Sequence, residues 1–289
     1  MLTDCHIHMV LDGSDWRAAL ARHAHGPDIP WIRAQLQIYR DKGFTYLRDG
    51  GDRWGAGLCA RELACEYGIT YRTPLSPLCR QGHYGSFIGL TYNNLREYAD
   101  LVSGIRRDGG DFIKIMISGL MNFNCFGELT EDPLPDDEIH ALVDIAHNQG
   151  MAVMAHANGA RAVTAAALAG VDSVEHGAYL DHEALQAMAE NGTVWVPTLS
   201  TLGNPLGKGR FSDPDLQKIL NSALENIRSF AAMGGILAPG TDAGAWAVPH
   251  GSTTEYALLS RAGISKELLL RGIRVIQEKF QTNYRRYDL

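Results

Sequence analysis

The chain has 289 residues, 45% of them hydrophobic and 20% charged, enough for one large core or two average ones. Its formal charge of −7, from 26 basic and 33 acidic residues without any basic block, excludes a general nucleic-acid binder. No apolar run approaches the roughly 18 residues of a bilayer span, and the start lacks a charged and then apolar leader, so a cytoplasmic protein without a membrane partner is expected.

In chain order, short apolar or β-branched runs predict strands near residues 2–8, 44–49, 69–75, 111–117, 151–156, 171–176, 193–197 and 235–241. Helical patterns lie between them. "DEIHALVDIAHNQG" carries acids in its first turn and a glycine past its end, and "GARAVTAAALAG" and "DHEALQAMAENG" end the same way. Eight strand-and-helix units predict an α/β protein, a (β/α)8 TIM barrel forming one domain over 1–289. An open doubly wound sheet is the alternative, but no G-x-G-x-x-G follows an early strand. Two long segments, 76–94 and 198–215, follow strands and are expected as loops on the catalytic face. The five cysteines, Cys5, Cys59, Cys65, Cys79 and Cys125, have no C-x-x-C spacing, so neither a disulfide framework nor a cysteine zinc cluster is expected.

Several predicted strands end in a metal-binding residue. His6 and His8 lie two apart in the first strand and share a face, although an isolated H-x-H is more often a surface feature. Lys114 interrupts the fourth strand, His156 and His176 end the fifth and sixth, and Asp242 follows the eighth. In a barrel these ends meet at one mouth, and four imidazoles with a carboxylate suit zinc or a similar divalent ion. A buried lysine without a partner is costly and tends to lose its charge. Lys114 could pair with Asp242, act as a base or be chemically modified; the residues alone leave all three open.

The long loops add candidate substrate contacts. His83 and Tyr84 follow the third strand, and His250 follows the eighth. Arg80, Lys208 and Arg210 complete a cationic rim that suits a small-molecule substrate bearing a carboxylate. His23 and His25 repeat the H-x-H spacing but lie in a loop. His140 and His147, expected on an outer helix face, and His182 at a helix start read as structural. Asp4 is a candidate to orient a ligand histidine, while Cys5 alternates away and is expected to pack.

The ordered set of D-x-H-x-H (Asp4, His6, His8), Lys114, His156, His176 and Asp242 resembles the amidohydrolase superfamily in its two-metal branch. "DFIKIM", "AHANGARAV", "GVDSVEHGAYLD", "VPTL" and "GTDAG" are similar to the part containing imidazolonepropionase-like enzymes and Xaa-Pro dipeptidases. The resemblance covers nearly the whole chain. It implies a hydrolase of C–N amide bonds in dipeptides or N-acyl amino acids, working through a hydroxide that bridges two divalent ions. It further implies that Lys114 carries a carboxyl group and bridges both ions, with His6, His8 and Asp242 on one and His156 and His176 on the other. Zinc is the default ion. Asp242 is the implied proton shuttle, and His83 resembles the family's "GHG" segment, which implies contact with substrate or transition state. A cyclic-amide hydrolase, a deaminase and a non-catalytic metal-binding barrel are the alternatives. Most relatives add a small β-sandwich from segments on both sides of the barrel. Here the metal motif begins at residue 4 and the C-terminal "RVIQEKFQTNYRRYDL" is short, so a barrel lacking the sandwich is expected, with homo-oligomerisation left open.

Overall fold

The computed structural model describes residues 1–281. Its strands are β1 (Leu2–Ile7), β2 (Phe44–Asp49), β3 (Thr70–Arg72), β4 (Leu78–Arg80), β5 (Leu90–Tyr92), β6 (Ile113–Met116), β7 (Val153–Ala157), β8 (Ser173–His176), β9 (Val194–Val196) and β10 (Ile236–Leu237). Its helices are α1 (Trp16–Arg22), α2 (Ile29–Asp41), α3 (Ala56–Ala64), α4 (Leu95–Arg107), α5 (Asp136–Asn148), α6 (Ala160–Ala169), α7 (His182–Glu190), α8 (Ser200–Gly203), α9 (Asp213–Ala232), α10 (Thr254–Arg261) and α11 (Lys266–Lys279).

All the ladder pairings are parallel: β1 with β2, β2 with β3, and the run β6–β7–β8–β9–β10. Two sets of backbone bonds close the ring. Asp111 N donates to Thr73 O (2.9 Å) between β3 and β6. Cys5 N donates to Pro239 O (2.8 Å), Asp242 N to His6 O (2.7 Å) and His8 N to Ala243 O (2.7 Å), joining the last strand to the first. Eight strands thus form the barrel that the sequence predicts. Strands such as "IKIM" and "VMAHA" are buried at every position, as parallel strands covered on both faces must be. The interior holds Cys5, Tyr46, Phe112, Met154, Val196 and Ala238, and Phe280 after α11 packs edge-on against Phe112 (5.2 Å between ring centres) at the strand starts. Side chains of Asn94, Asp181, Ser212 and Ser265 accept first-turn amides and start α4, α7, α9 and α11.

The long segments depart from the expected loops. Residues 76–94 contain β4 and β5, an extra pair that joins β6 through Leu78 opposite Ile115. Three-residue strands are too short to show a period. Residues 198–215 hold the short α8 and the first turn of α9. Among the described residues every strand belongs to the barrel or to the β4–β5 pair, and no helix is long and apolar enough to cross a membrane. Residues 282–289, the end of the C-terminal stretch weighed against a sandwich segment, lie outside the described residues.

One buried carboxyl gives the fold a pH dependence. Glu255, in α10, accepts from the Ser200 amide (2.8 Å) and hydroxyl (3.0 Å), while its Oε1 has no hydrogen-bond partner. Burial pushes this carboxyl from 4.5 up to about 8. A raised acid favours folding below its unfolded pKa, and that stability drains away as pH rises towards 8. Glu255→Gln should therefore melt above the parent by a margin that grows between pH 5 and pH 8.5 by at least about 2 °C, the size of a 1 kcal/mol change in a chain this long. Thermal scans giving a pH-independent margin would contradict this.

Candidate metal centre

His6 in β1 and His8, just past its end, stand beside the seam with β10. His6 Nε2 and His8 Nε2 are 3.3 Å apart, and Asp242 Oδ1 lies 3.5 Å from the first and 3.3 Å from the second. The three ligand atoms fall within 4.8 Å of one another. Asp242 Oδ1 is buried and has no hydrogen-bond partner, so its approach to the rings is contact without hydrogen-bond geometry. A buried carboxylate oxygen and two converging imidazoles are the donor set that a divalent cation satisfies.

His156 and His176 stand alongside, their ring centres 4.6 Å apart, with His176 5.0 Å from His6. His156 Nε2 is 3.2 Å from Gly119 O, which leaves Nδ1 for an ion, and His176 Nδ1 is 2.7 Å from the Thr198 hydroxyl, which leaves Nε2. Lys114 is 1% exposed and its Nζ has no hydrogen-bond partner among the described residues. Burial pushes its amine down to about 8. Burial, and then the nearby Lys114, hold His6 at about 4 and His156 at about 3, and burial with the neighbouring rings lowers His176 further. These imidazoles are neutral at physiological pH and free to ligate. Burial works against the charge of Asp242, but the facing imidazoles hold its carboxyl below the usual value. His176 (φ 67°) and Asp242 (φ 58°) take the left-handed backbone that non-glycine residues avoid, a strain typical of functional positions.

Two supporting groups differ from expectation. Asp4 touches no ring: its carboxylate accepts from Thr241 N (2.8 Å), the Thr241 hydroxyl (2.5 Å) and His6 N (3.3 Å), fastening the seam. The carboxylate on a candidate ligand ring is Glu175, whose Oε2 is 2.7 Å from His6 Nδ1. Burial alone would raise Glu175, but Arg48 and His6 hold it at about 2. Asn158, which lines the cavity and donates to Gly119 O (3.2 Å), was also missed. Charged residues inside the buried runs "FTYLRD" and "SVEH" were the available signal.

The cluster forms the floor of a cavity of about 420 Å³. Leu11, Phe87, Ile88, Met116 and Met121 make apolar walls, and Asp242 is the sole acid among the described residues that line it. Tyr84 lines it with its ring 4.9 Å from His156. Arg210 also lines it, its guanidinium 4.7 Å over Trp246.

The other rim candidates lie elsewhere. Arg80 is drawn to Glu138 (2.8 Å) in a separate shallow depression. His83 points towards Glu131 (3.7 Å) and does not line the cavity. His250 is buried between Tyr39 OH (3.0 Å) and Leu11 O (2.8 Å), a packing position. Lys208 and His25 are exposed, and His23 accepts from Asp28 N (3.1 Å). His140 and His182 are exposed, whereas His147, expected on an outer face, is buried 3.1 Å from Asp172.

Histidines and a carboxylate gathered at the strand ends of a closed barrel are a donor set suited to a divalent cation. Residues 90–284 match the amidohydrolase family, and the chain belongs to it. That span contains Lys114, His156, His176 and Asp242; His6 and His8 rest on the geometry above. Ochratoxinase of Aspergillus niger is 25% identical over 281 residues, covering 83% of this chain and 57% of its own length, so the chain spans little more than half of that relative. An uncharacterised protein of Mycobacterium tuberculosis is 33% identical over 137 residues, 45% of this chain and 37% of its own length. Among solved structures, a Xaa-Pro dipeptidase with methionine in its active site aligns with a TM-score of 0.75 at 22% identity, over 99% of this chain and 77% of its own. The A. niger ochratoxinase structure gives 0.76 at 23% identity, over 98% and 70%.

Gly50 tests how tightly the candidate ligands are held. A Cβ built there would stand 2.3 Å from His8 Cε1. Gly50→Ala should displace His8 and weaken zinc binding by about tenfold or more, the range seen when a ligand's support is removed, with circular dichroism unchanged. Equal zinc affinity in chelator competition would show that His8 has room to move.

Proposed function

We propose that this chain is a metal-dependent amidohydrolase that cleaves a C–N amide bond in a small substrate combining a carboxylate with a bulky apolar group. The observation that carries it is the convergence of His6, His8, Lys114, His156, His176 and Asp242 on the floor of one apolar cavity. The likeness to a Xaa-Pro dipeptidase supports an amide substrate.

His6, His8 and Asp242 would hold one divalent cation, His156 and His176 a second, and a carboxylated Lys114 both, with zinc the default for such donors. Bound there, the cations supply Lewis acidity, making water acidic near neutral pH and the scissile carbonyl electrophilic. Lys114 suits its part because an uncharged amine is the form that attacks CO2. The N–C bond forms, one proton leaves, and an anionic carbamate replaces an ammonium that would have no partner. Asp242 faces both the cluster and the cavity, where it can take a proton from attacking water and return it to the leaving nitrogen. Burial pushes the Tyr84 phenol up, so it stays a neutral donor beside His156. Arg210 offers a planar fork for a substrate carboxylate while its face rests on Trp246. The walls remove the apolar remainder from water.

Two outcomes follow. Protein loaded with zinc in bicarbonate should approach two ions per chain, and Lys114→Ala should lose both metal and turnover; elemental analysis showing an unchanged content would remove Lys114 from the ligand set. In a screen of dipeptides and N-acyl amino acids, free acids should exceed their amidated counterparts in kcat/KM by roughly 10- to 100-fold, the value of hydrogen bonds to a charged group. Arg210→Gln should erase that preference and Arg80→Gln should leave it. Absence of C–N cleavage across the panel would overturn the proposed reaction, and equal rates for acids and amides would overturn the role of Arg210.

A further inference from the structure

Beneath the ligand cluster runs a chain of polar groups sealed inside the barrel. Arg48, Ser173, Glu175 and His6 are each 0% exposed. The Arg48 guanidinium donates through Nε to Cys5 O (2.7 Å), through Nη1 to Ser173 Oγ (2.9 Å) and through Nη2 to Glu175 Oε1 (2.8 Å), with its face 4.4 Å over Phe280. The Ser173 hydroxyl donates to the same Oε1 (2.6 Å). Glu175 Oε2 is left with one partner, His6 Nδ1, at 2.7 Å.

A buried ion pair is a poor source of stability, because packed apolar residues of similar volume do as well or better. Its worth lies in direction. Two donors fix Oε1 and thereby the plane of the carboxylate. A carboxylate only accepts, so the ring nitrogen facing it must carry the proton. The other ring nitrogen then presents a lone pair, and here it points at His8 Nε2 (3.3 Å) and Asp242 Oδ1 (3.5 Å). His176 faces the Thr198 hydroxyl, which can donate or accept, so its tautomer is not imposed in this way.

We propose that Glu175, locked in place by Arg48 and Ser173, is a positioning residue that fixes His6 as its Nδ1–H tautomer and aims Nε2 into the cation site. The inference rests on the reading of His6 as a metal ligand, but its first test needs no metal. In metal-free protein labelled with 15N-histidine, long-range proton–nitrogen correlations should show His6 protonated on Nδ1 at neutral pH. An Nε2–H form would overturn the proposal.

Variants then separate positioning from bracing. In Glu175→Gln the amide oxygen is retained by the donors of Arg48 and Ser173, so the amide NH2 faces His6 and imposes Nε2–H. Zinc affinity, measured by competition with a chromophoric chelator, should fall about 10- to 100-fold, the usual effect of losing a ligand's hydrogen-bond partner. Arg48→Met/Glu175→Gln removes the guanidinium and lets the amide oxygen turn to His6 while Ser173 accepts the amide. That double variant should regain Nδ1–H and bind zinc more tightly than the single one. A mere brace between β2 and β8 predicts the opposite order, and that order would sink the proposal, as would unchanged zinc affinity in a folded Glu175→Gln. Wild-type protein that shows the expected tautomer yet binds no zinc would instead overturn the metal reading.

Discussion

Closure of the sheet between β10 and β1 is the constraint from which the site follows. His6 and Asp242 lie at opposite ends of the sequence, and only this seam makes them neighbours, through the bond from Asp242 N to His6 O. The backbone strain at Asp242 is held from both sides, because Asp4 grips the preceding Thr241 by amide and hydroxyl and Ala243 O accepts from His8 N. Strained residues persist where surrounding bonds over-determine them. The cost is visible in Asp4 itself, whose carboxyl burial pushes up to about 7 against the hydrogen bonds of Thr241 and His6. The seam therefore joins folding to chemistry: a change that loosens it moves three candidate ligands at once.

Charge is distributed in layers along the barrel axis. The Arg48–Glu175 pair lies below, balanced within itself and supported by the rings of Phe112 and Phe280. Above it are imidazoles that burial keeps neutral and a lysine whose amine is lowered towards neutrality. Among the described residues, Asp242 is the one carboxylate of that upper layer that faces the cavity. Such a layer has lone pairs in excess and little compensating positive charge. In a low-dielectric interior unpaired polar groups are expensive, and a divalent cation is the economical way to satisfy several at once.

The barrel was legible because each strand is a dense apolar run ended by glycine or a short polar segment, and ligands showed as polar residues inside such runs. Arg48 and Glu175 carry the same signature, yet alternation suggests a solvent face for charged strand residues. In a closed barrel the second face is the interior, so both are sealed. The rim was less legible because it depends on partners remote in sequence. Glu138 and Glu131, far along the chain, draw Arg80 and His83 out of the cavity, and nothing local to residues 80–83 announces those acids. His250 was misjudged for the same reason, since Tyr39 and Leu11 claim both of its ring nitrogens.

Floor and walls have separate origins. The floor comes from strand ends, whose positions the barrel dictates; the walls come from the segments that follow the strands. Two of these segments brace one another, since Phe123 stacks on Phe211 with ring centres 4.8 Å apart and Ser212 N donates to Asn124 Oδ1 (3.0 Å). Phe211 in turn meets Trp246 edge-on at 5.4 Å, and Arg210 lies over that same indole. Arg210 at the upper wall is therefore placed by contacts among three loops. Lengthening any one of them would shift Arg210 relative to Asp242 while leaving every candidate ligand at a strand end in register. The lining of the walls can thus change without disturbing the candidate centre on the floor, because the two are built by different parts of the chain.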